Sequence, residues 1–305
     1  MTATTILVLA ITSLFAATVN GALGYGYSSI SVPVALLVTV GRVLNPAIVI
    51  IEVAINLYSL FWNRRAAKRV LGRVIPLSLG LIPGVIVGAL LLGHVAPRNV
   101  KVVVYCVLLP LILLQASGRR WPIRRERAAA VPLGGAVGLL YGLTTISGPP
   151  LAVFWNNQGL AKNDFKVALA VVRSIESTCA LTAYAYLGLF NSDSFGILPY
   201  IAPGVLIGFP VGHMLMSRIS VDTFRRVCMS FDVYLVSFGL ARTLGDHGVA
   251  MVIAFQPMIA AGLIDGVLMW LFFRHRVGRV SSPSLAVQVP VPGLVPAPLD
   301  TPPQR

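Results

Sequence analysis

The stretch that decides the fold is "YGYSSISVP", Tyr25 to Pro33, because the chain writes it again as "YGLTTISGP", Tyr141 to Pro149. Tyr, Gly, a pair of hydroxyl residues, Ile, Ser and Pro keep the same places 116 residues apart. Neither copy suits a regular helix throughout. Gly24 and Gly26 permit tight turns, and Pro33 lacks an N–H and suits the first turn of a new helix. Gly142, Gly148 and Pro149 repeat the arrangement. Both copies interrupt apolar runs, 4–40 and 128–156, that are too long for one crossing, since a helix spans the hydrocarbon core with about 20 residues. A break inside such a run predicts a helical hairpin.

Outward from the two breaks, the duplication continues. Glu52 and Glu176 lie in apolar surroundings 124 residues apart, and "PGVIVG" (Pro83–Gly88) returns as "PGVLIG" (Pro203–Gly208) at 120. Three features in the same order read as an internal repeat. The other apolar segments, 46–62, 74–94, 102–117, 167–190, 195–217, 227–241 and 249–273, each fit one crossing.

Of 305 residues 56% are apolar and 11% charged, with mean hydropathy +0.83. A soluble domain carries about 25% charged residues, so the chain reads as a polytopic membrane protein. The net charge of +14 sits in short clusters between apolar runs, a pattern of cytoplasmic loops rather than of nucleic-acid binding. If each long run is a hairpin, 18 Lys and Arg fall in loops on one side and 4 on the other. If each crosses once, the split is even and the positive-inside rule is broken. The hairpin reading therefore makes the fold an all-α polytopic membrane protein with two inverted repeats. Each repeat is a broken helical hairpin plus three transmembrane helices, and one extra C-terminal helix follows. The expected boundaries are 1–117 for the first repeat, 118–127 for a cytoplasmic basic loop and 128–242 for the second repeat. The extra helix covers 249–273, and a Pro-rich disordered tail covers 280–305. The N-terminus lacks a basic n-region and reads as the first membrane segment. The inner membrane is the expected location, with the C-terminus in the cytoplasm.

The chemistry expected follows from the breaks. A helix start exposes free N–H groups and a positive dipole end, which favour an anion. Ser28, Ser29 and Ser31 precede one expected helix start, and Thr144, Thr145 and Ser147 the other, adding hydroxyl donors. Glu52 and Glu176 are costly inside a bilayer, so they face a cavity or a partner and are candidates for proton coupling. Arg173, three residues before Glu176, shares its helix face and is a candidate anion ligand. Asp232 and Asp265 also lie in apolar segments but have no repeat partner and rank lower. Cys106, Cys179 and Cys228 show no metal spacing and read as core residues. No metal, cofactor or nucleophile motif is found, which argues against an enzyme.

The Gly-rich segment running into Ser and Pro, doubled, with a PG-x-x-x-G helix after each copy, resembles the sulfite exporter TauE/SafE family over about residues 5–242. The resemblance implies a multi-pass inner-membrane protein moving sulfur-containing or related organic anions. Segment 249–273 and the tail depart from it. The expected function is a secondary transporter, an exporter of a small anion, with the lipid bilayer as its surroundings and the oligomeric state open. The alternatives are a passive anion channel, a membrane-embedded enzyme and a non-transporting subunit.

Overall fold

A computed structural model of the chain describes residues 2–118, 123, 125–160, 162–215 and 221–280. Among these residues every regular element is a helix: α1 (Ala3–Leu23), α2 (Tyr27–Ala35), α3 (Gly41–His94), α4 (Pro97–Ser117), α5 (Glu126–Thr144), α6 (Gly148–Asn157), α7 (Lys162–Tyr186), α8 (Ser192–Leu215), α9 (Val221–Asp246), α10 (Met251–Ala254) and α11 (Gln256–Val280). Eight stretches among the described residues are long and apolar enough to cross a membrane, two of them within α3. The chain is an all-α polytopic membrane protein. The short segments expected at 102–117 and 227–241 are longer in the structure, because polar flanks continue α4 and α9 past the apolar run. The expected tail beyond Val280, part of the 118–127 loop and residues 216–220 lie outside the described residues.

The 54 residues of α3 would extend about 81 Å if straight. Yet the Arg42 guanidinium donates to the carbonyls of Leu92 (3.2 Å), Gly93 (2.8 Å) and Val95 (3.3 Å). The helix therefore doubles back, and Gly41–Trp62 and Arg64–His94 are its two arms.

Both long apolar runs are broken as expected, but not where the motif alignment puts the breaks. The first falls at Gly24 (φ 82°) and Gly26 (φ 111°), a left-handed backbone that glycine adopts without a Cβ penalty. The second falls at Thr145 (φ 59°) and Ser147. Thr145 is the one described non-glycine residue in the left-handed region. From Gly24 to Thr145 and from Gly26 to Ser147 the offset is 121, five more than the motif offset. In consequence Ser28, Ser29 and Ser31 do not precede α2; they lie within it, and its N-cap, Gly26, has no side-chain bond. Pro33 is likewise interior, whereas Pro149 does sit in the first turn of α6.

The short α2 rises only about 13 Å, less than half the hydrocarbon core. Its direction is fixed by α4. The Tyr25 hydroxyl accepts from Gln115 Nε2 (2.8 Å), Tyr105 donates to the Pro33 carbonyl (2.9 Å), and Lys101 donates to the Leu36 carbonyl. As α2 advances, its partners step backwards along α4, so the two run antiparallel.

Glycines bring the long helices into backbone contact twice over. A Cβ on Gly80, Gly84 or Gly88 of α3 would overlap the carbonyl of Val131, Gly135 or Leu139 of α5. One on Gly204, Gly208 or Gly212 of α8 would meet that of Ala10, Leu14 or Thr18 of α1. The first three carbonyls stand 121 residues after the last three, so the same interface is built in each half. Its glycines correspond at 124, not at the 120 of the Pro-Gly motifs, and Pro83 and Pro203 lie inside helices. In both interfaces the residue numbers rise together, so α5 runs parallel to the second arm of α3, and α1 parallel to α8.

The chain divides into two compact units, Met1–Met269 and Trp270–Arg305. Within the second, the Arg274 guanidinium lies 5.0 Å above the Trp270 ring. Within the first, Cys228 is buried and Cys179 half-buried, while Cys106 is exposed and so is not the core residue that was expected.

Candidate functional site

The two breaks touch. A Cβ on Gly148, the first residue of α6, would lie 3.1 Å from Ser29 Oγ, 3.3 Å from Tyr25 Cδ2 and 3.8 Å from the Gly26 nitrogen. The start of α6 thus rests on the start of α2.

The hydroxyls at the two breaks are differently employed. Thr144 donates to the Leu140 carbonyl (2.6 Å) and accepts from the Ile146 N–H (3.2 Å). Thr145 donates to the Thr144 carbonyl (2.7 Å), and Ser147 donates to Glu176 Oε1. By contrast the buried hydroxyls of Ser28 and Ser29 have no hydrogen-bond partner. Backbone groups freed by the second break are satisfied from outside, as a non-aqueous interior demands. The Gly142 carbonyl accepts from Tyr184 (2.6 Å) and the Leu143 carbonyl from Asn45 Nδ2 (2.9 Å).

Beside the breaks lies a charged cluster. Glu52, Arg173 and Glu176 are each 1% exposed or less. Arg173 Nη2 pairs with Glu52 Oε1, its Nε lies 3.6 Å from Glu176 Oε1, and its Nη1 donates to Asn20 Oδ1 at 3.4 Å. Tyr141 donates to Glu52 Oε2 (2.6 Å). The sequence brings Arg173 to Glu176; the structure adds Glu52, which makes the closer contact. Taking such charges out of water is costly unless they are paired and hydrogen-bonded; here each is paired, while Arg173 Nε and Glu176 Oε2 have no hydrogen-bond partner. The offset of 121 maps Asn20 onto Tyr141 and Glu52 onto Arg173, so the bonds Asn20–Arg173 and Tyr141–Glu52 are one contact made twice. It also maps Asn56 onto Ser177, and Asn56 Nδ2 donates to Ser177 Oγ (3.3 Å). By this register Glu52 corresponds to Arg173, not to Glu176. The cluster lies where the two halves meet.

Sequence reasoning did not single out Asn20, Asn45, Asn56 or Tyr184, and read Tyr141 only as part of the repeated motif. Their signal was a lone polar side chain within an apolar helix, which in a membrane must find an internal partner. Asp265, ranked low, pairs with Arg226 (Nη2 to Oδ1, 2.8 Å) away from this cluster. Among the described residues no cluster of His, Cys, Asp or Glu could hold a metal ion.

Eight candidate spans, two helix breaks in contact and a buried cluster at the meeting of two like halves define a polytopic membrane protein with a polar centre. The family model of the sulfite exporter TauE/SafE family matches residues 9–238, and the chain belongs to that family, one of membrane transporters. No curated protein and no solved structure matches the chain.

Proposed function

We propose that the chain is a secondary transporter, an exporter, that carries a small sulfur-containing or organic anion across the cell membrane with proton coupling. Its two repeats, 1–117 and 128–242, stand inverted to one another, with the basic loops and the C-terminus in the cytoplasm. Contact of the two helix breaks, Gly148 against Ser29, carries the reading. It gathers free N–H groups and hydroxyls at one place inside the lipid span, where an oxyanion is held without water.

Coupling follows from counting charges. One guanidinium, Arg173, faces two carboxylates, Glu52 and Glu176. With both ionised the cluster keeps one uncompensated buried negative charge, which is costly in low dielectric; one proton makes it neutral. Ser147, at the N-cap of α6, donates to Glu176, so a proton on Glu176 acts directly on the second break.

The full chain in proteoliposomes with an imposed pH gradient is expected to accumulate labelled sulfite or a short organic sulfonate against its own gradient. Glu176→Gln is expected to remove the dependence on the pH gradient. Flux that only runs downhill would make the protein a channel; no flux of any such anion would reject transport of this class.

A further inference from the structure

We propose that the anion is held at the first break by Arg225 and Ser29, and not by Arg173. The inference rests on the transport reading and adds to it the residues that bind the substrate.

A small cavity of about 20 Å³ opens at the start of α2, lined among others by Gly26, Ser29, Gln115, Pro149, Arg225 and Asp232. Four observations make it an anion subsite. The first-turn N–H groups of Tyr27, Ser28 and Ser29 have no helical acceptor and form the positive end of α2. Ser29, 3% exposed, lines the cavity with an unpartnered hydroxyl. Arg225 lines it too, and among the described residues no ion pair within 4.0 Å includes Arg225. A guanidinium sharing a cavity with the positive end of a helix is unfavourable until an anion lies between them. Finally, Arg225 is the fifth residue of α9, and its counterpart, the fifth residue of α4, is Lys101. Lys101 donates to the Leu36 carbonyl at the opposite end of α2, where the dipole favours a cation. Of two equivalent cations, one is satisfied by the helix and the other lacks a negative partner of that kind.

Arg173 is a poorer alternative, because Glu52 and Glu176 already compensate its charge and its Nη1 and Nη2 donate to Asn20 and Glu52, leaving Nε as its unpartnered donor. The Arg225 fork suits two oxygens of a sulfur oxyanion, and Ser29 and the α2 N–H groups a third. As it stands the cavity takes one or two waters, so an anion enters dehydrated and widens it. Asp232 also lines the cavity, and its Oδ1 has no partner. Arg225 and Cys228 on α9 and Tyr25 at the break line the cavity with it.

The test is the KM for labelled sulfite in proteoliposomes of the full chain. Arg225→Gln is expected to raise it about tenfold or more, and Ser29→Ala about threefold or more, the loss of one charge-assisted and one neutral hydrogen bond. Arg225→Lys is expected to fall between wild type and Arg225→Gln, and Asp232→Asn, which supplies an uncharged N–H donor, to bind no worse than wild type. A KM within twofold of wild type in both Arg225→Gln and Ser29→Ala overturns the proposal. Should Arg225→Gln fail to insert, Ser29→Ala and Arg225→Lys decide on the same criterion. Wild-type flux with unmoved KM values defeats only this inference; absence of wild-type flux defeats the transport reading beneath it.

Discussion

A guanidinium cut off from water is stable only while its partners are in place, and Arg173 has three of them drawn from both halves of the chain. Removing the cation leaves Glu52 facing Tyr141 alone, with its charge uncompensated. Arg173→Met is therefore expected to destabilise the protein by about 3–5 kcal/mol, the cost of breaking a buried pair from one side. Adding Glu52→Gln removes the stranded charge, so the double variant is expected to be more stable than Arg173→Met alone. Thermal unfolding in detergent reads both. A double variant less stable than the single one would mean that the two residues are not energetically coupled. The sequence exposes half of this cluster. Arg173 and Glu176 share one helix face by spacing alone, whereas the Glu52 contact spans 121 residues and depends on how the halves meet.

At the scale of the helix, the separation between partners is set by what stands at their crossing. Gly84 has the Gly135 carbonyl where a Cβ would go, while Gly196 of α8 has nothing within 4 Å. The same substitution is thus expected to act with opposite signs. Gly84→Ala forces α3 from α5 and costs about 1–3 kcal/mol, as overpacking does. Gly196→Ala gains up to about 1 kcal/mol from helix propensity. Melting temperatures of the two variants check the pair, and equal shifts would contradict the close approach. Element breaks were legible in the sequence because Gly24, Gly26 and Pro149 have few other uses in an apolar run. Their register was not. The motif aligns Ser28 and Ser29 with Thr144 and Thr145, but a positive φ falls before the serines in one half and on Thr145 itself in the other. Local sequence says that a helix must break nearby; which residue takes the left-handed backbone is decided by packing, here by the contact of α6 on α2.

For the molecule as a whole, the question is how many times the chain has crossed before each basic loop. The path is constrained by observed contacts: α2 runs back along α4, α3 doubles on itself, and α5 runs parallel to the second arm of α3. If α1 with α2, and α5 with α6, each return the chain to the side it left, Arg69 and Lys166 lie on one face of the membrane and Asn191 on the other. If each pair crosses only once, Arg69 and Asn191 share a face and Lys166 is opposite. Gly118 lies on the Arg69 side in either case and serves as the control. Single cysteines at these four positions, in a chain with Cys106, Cys179 and Cys228 replaced, are therefore expected to react with an impermeant maleimide in the pattern 69, 118 and 166 together, 191 apart. This is also the arrangement that gathers 18 of the loop Lys and Arg on one side, as the positive-inside rule requires. Labelling of Arg69→Cys and Asn191→Cys from the same side would remove the inversion of the repeats. With it would go the reason for expecting two breaks, entered from opposite faces, to serve one anion.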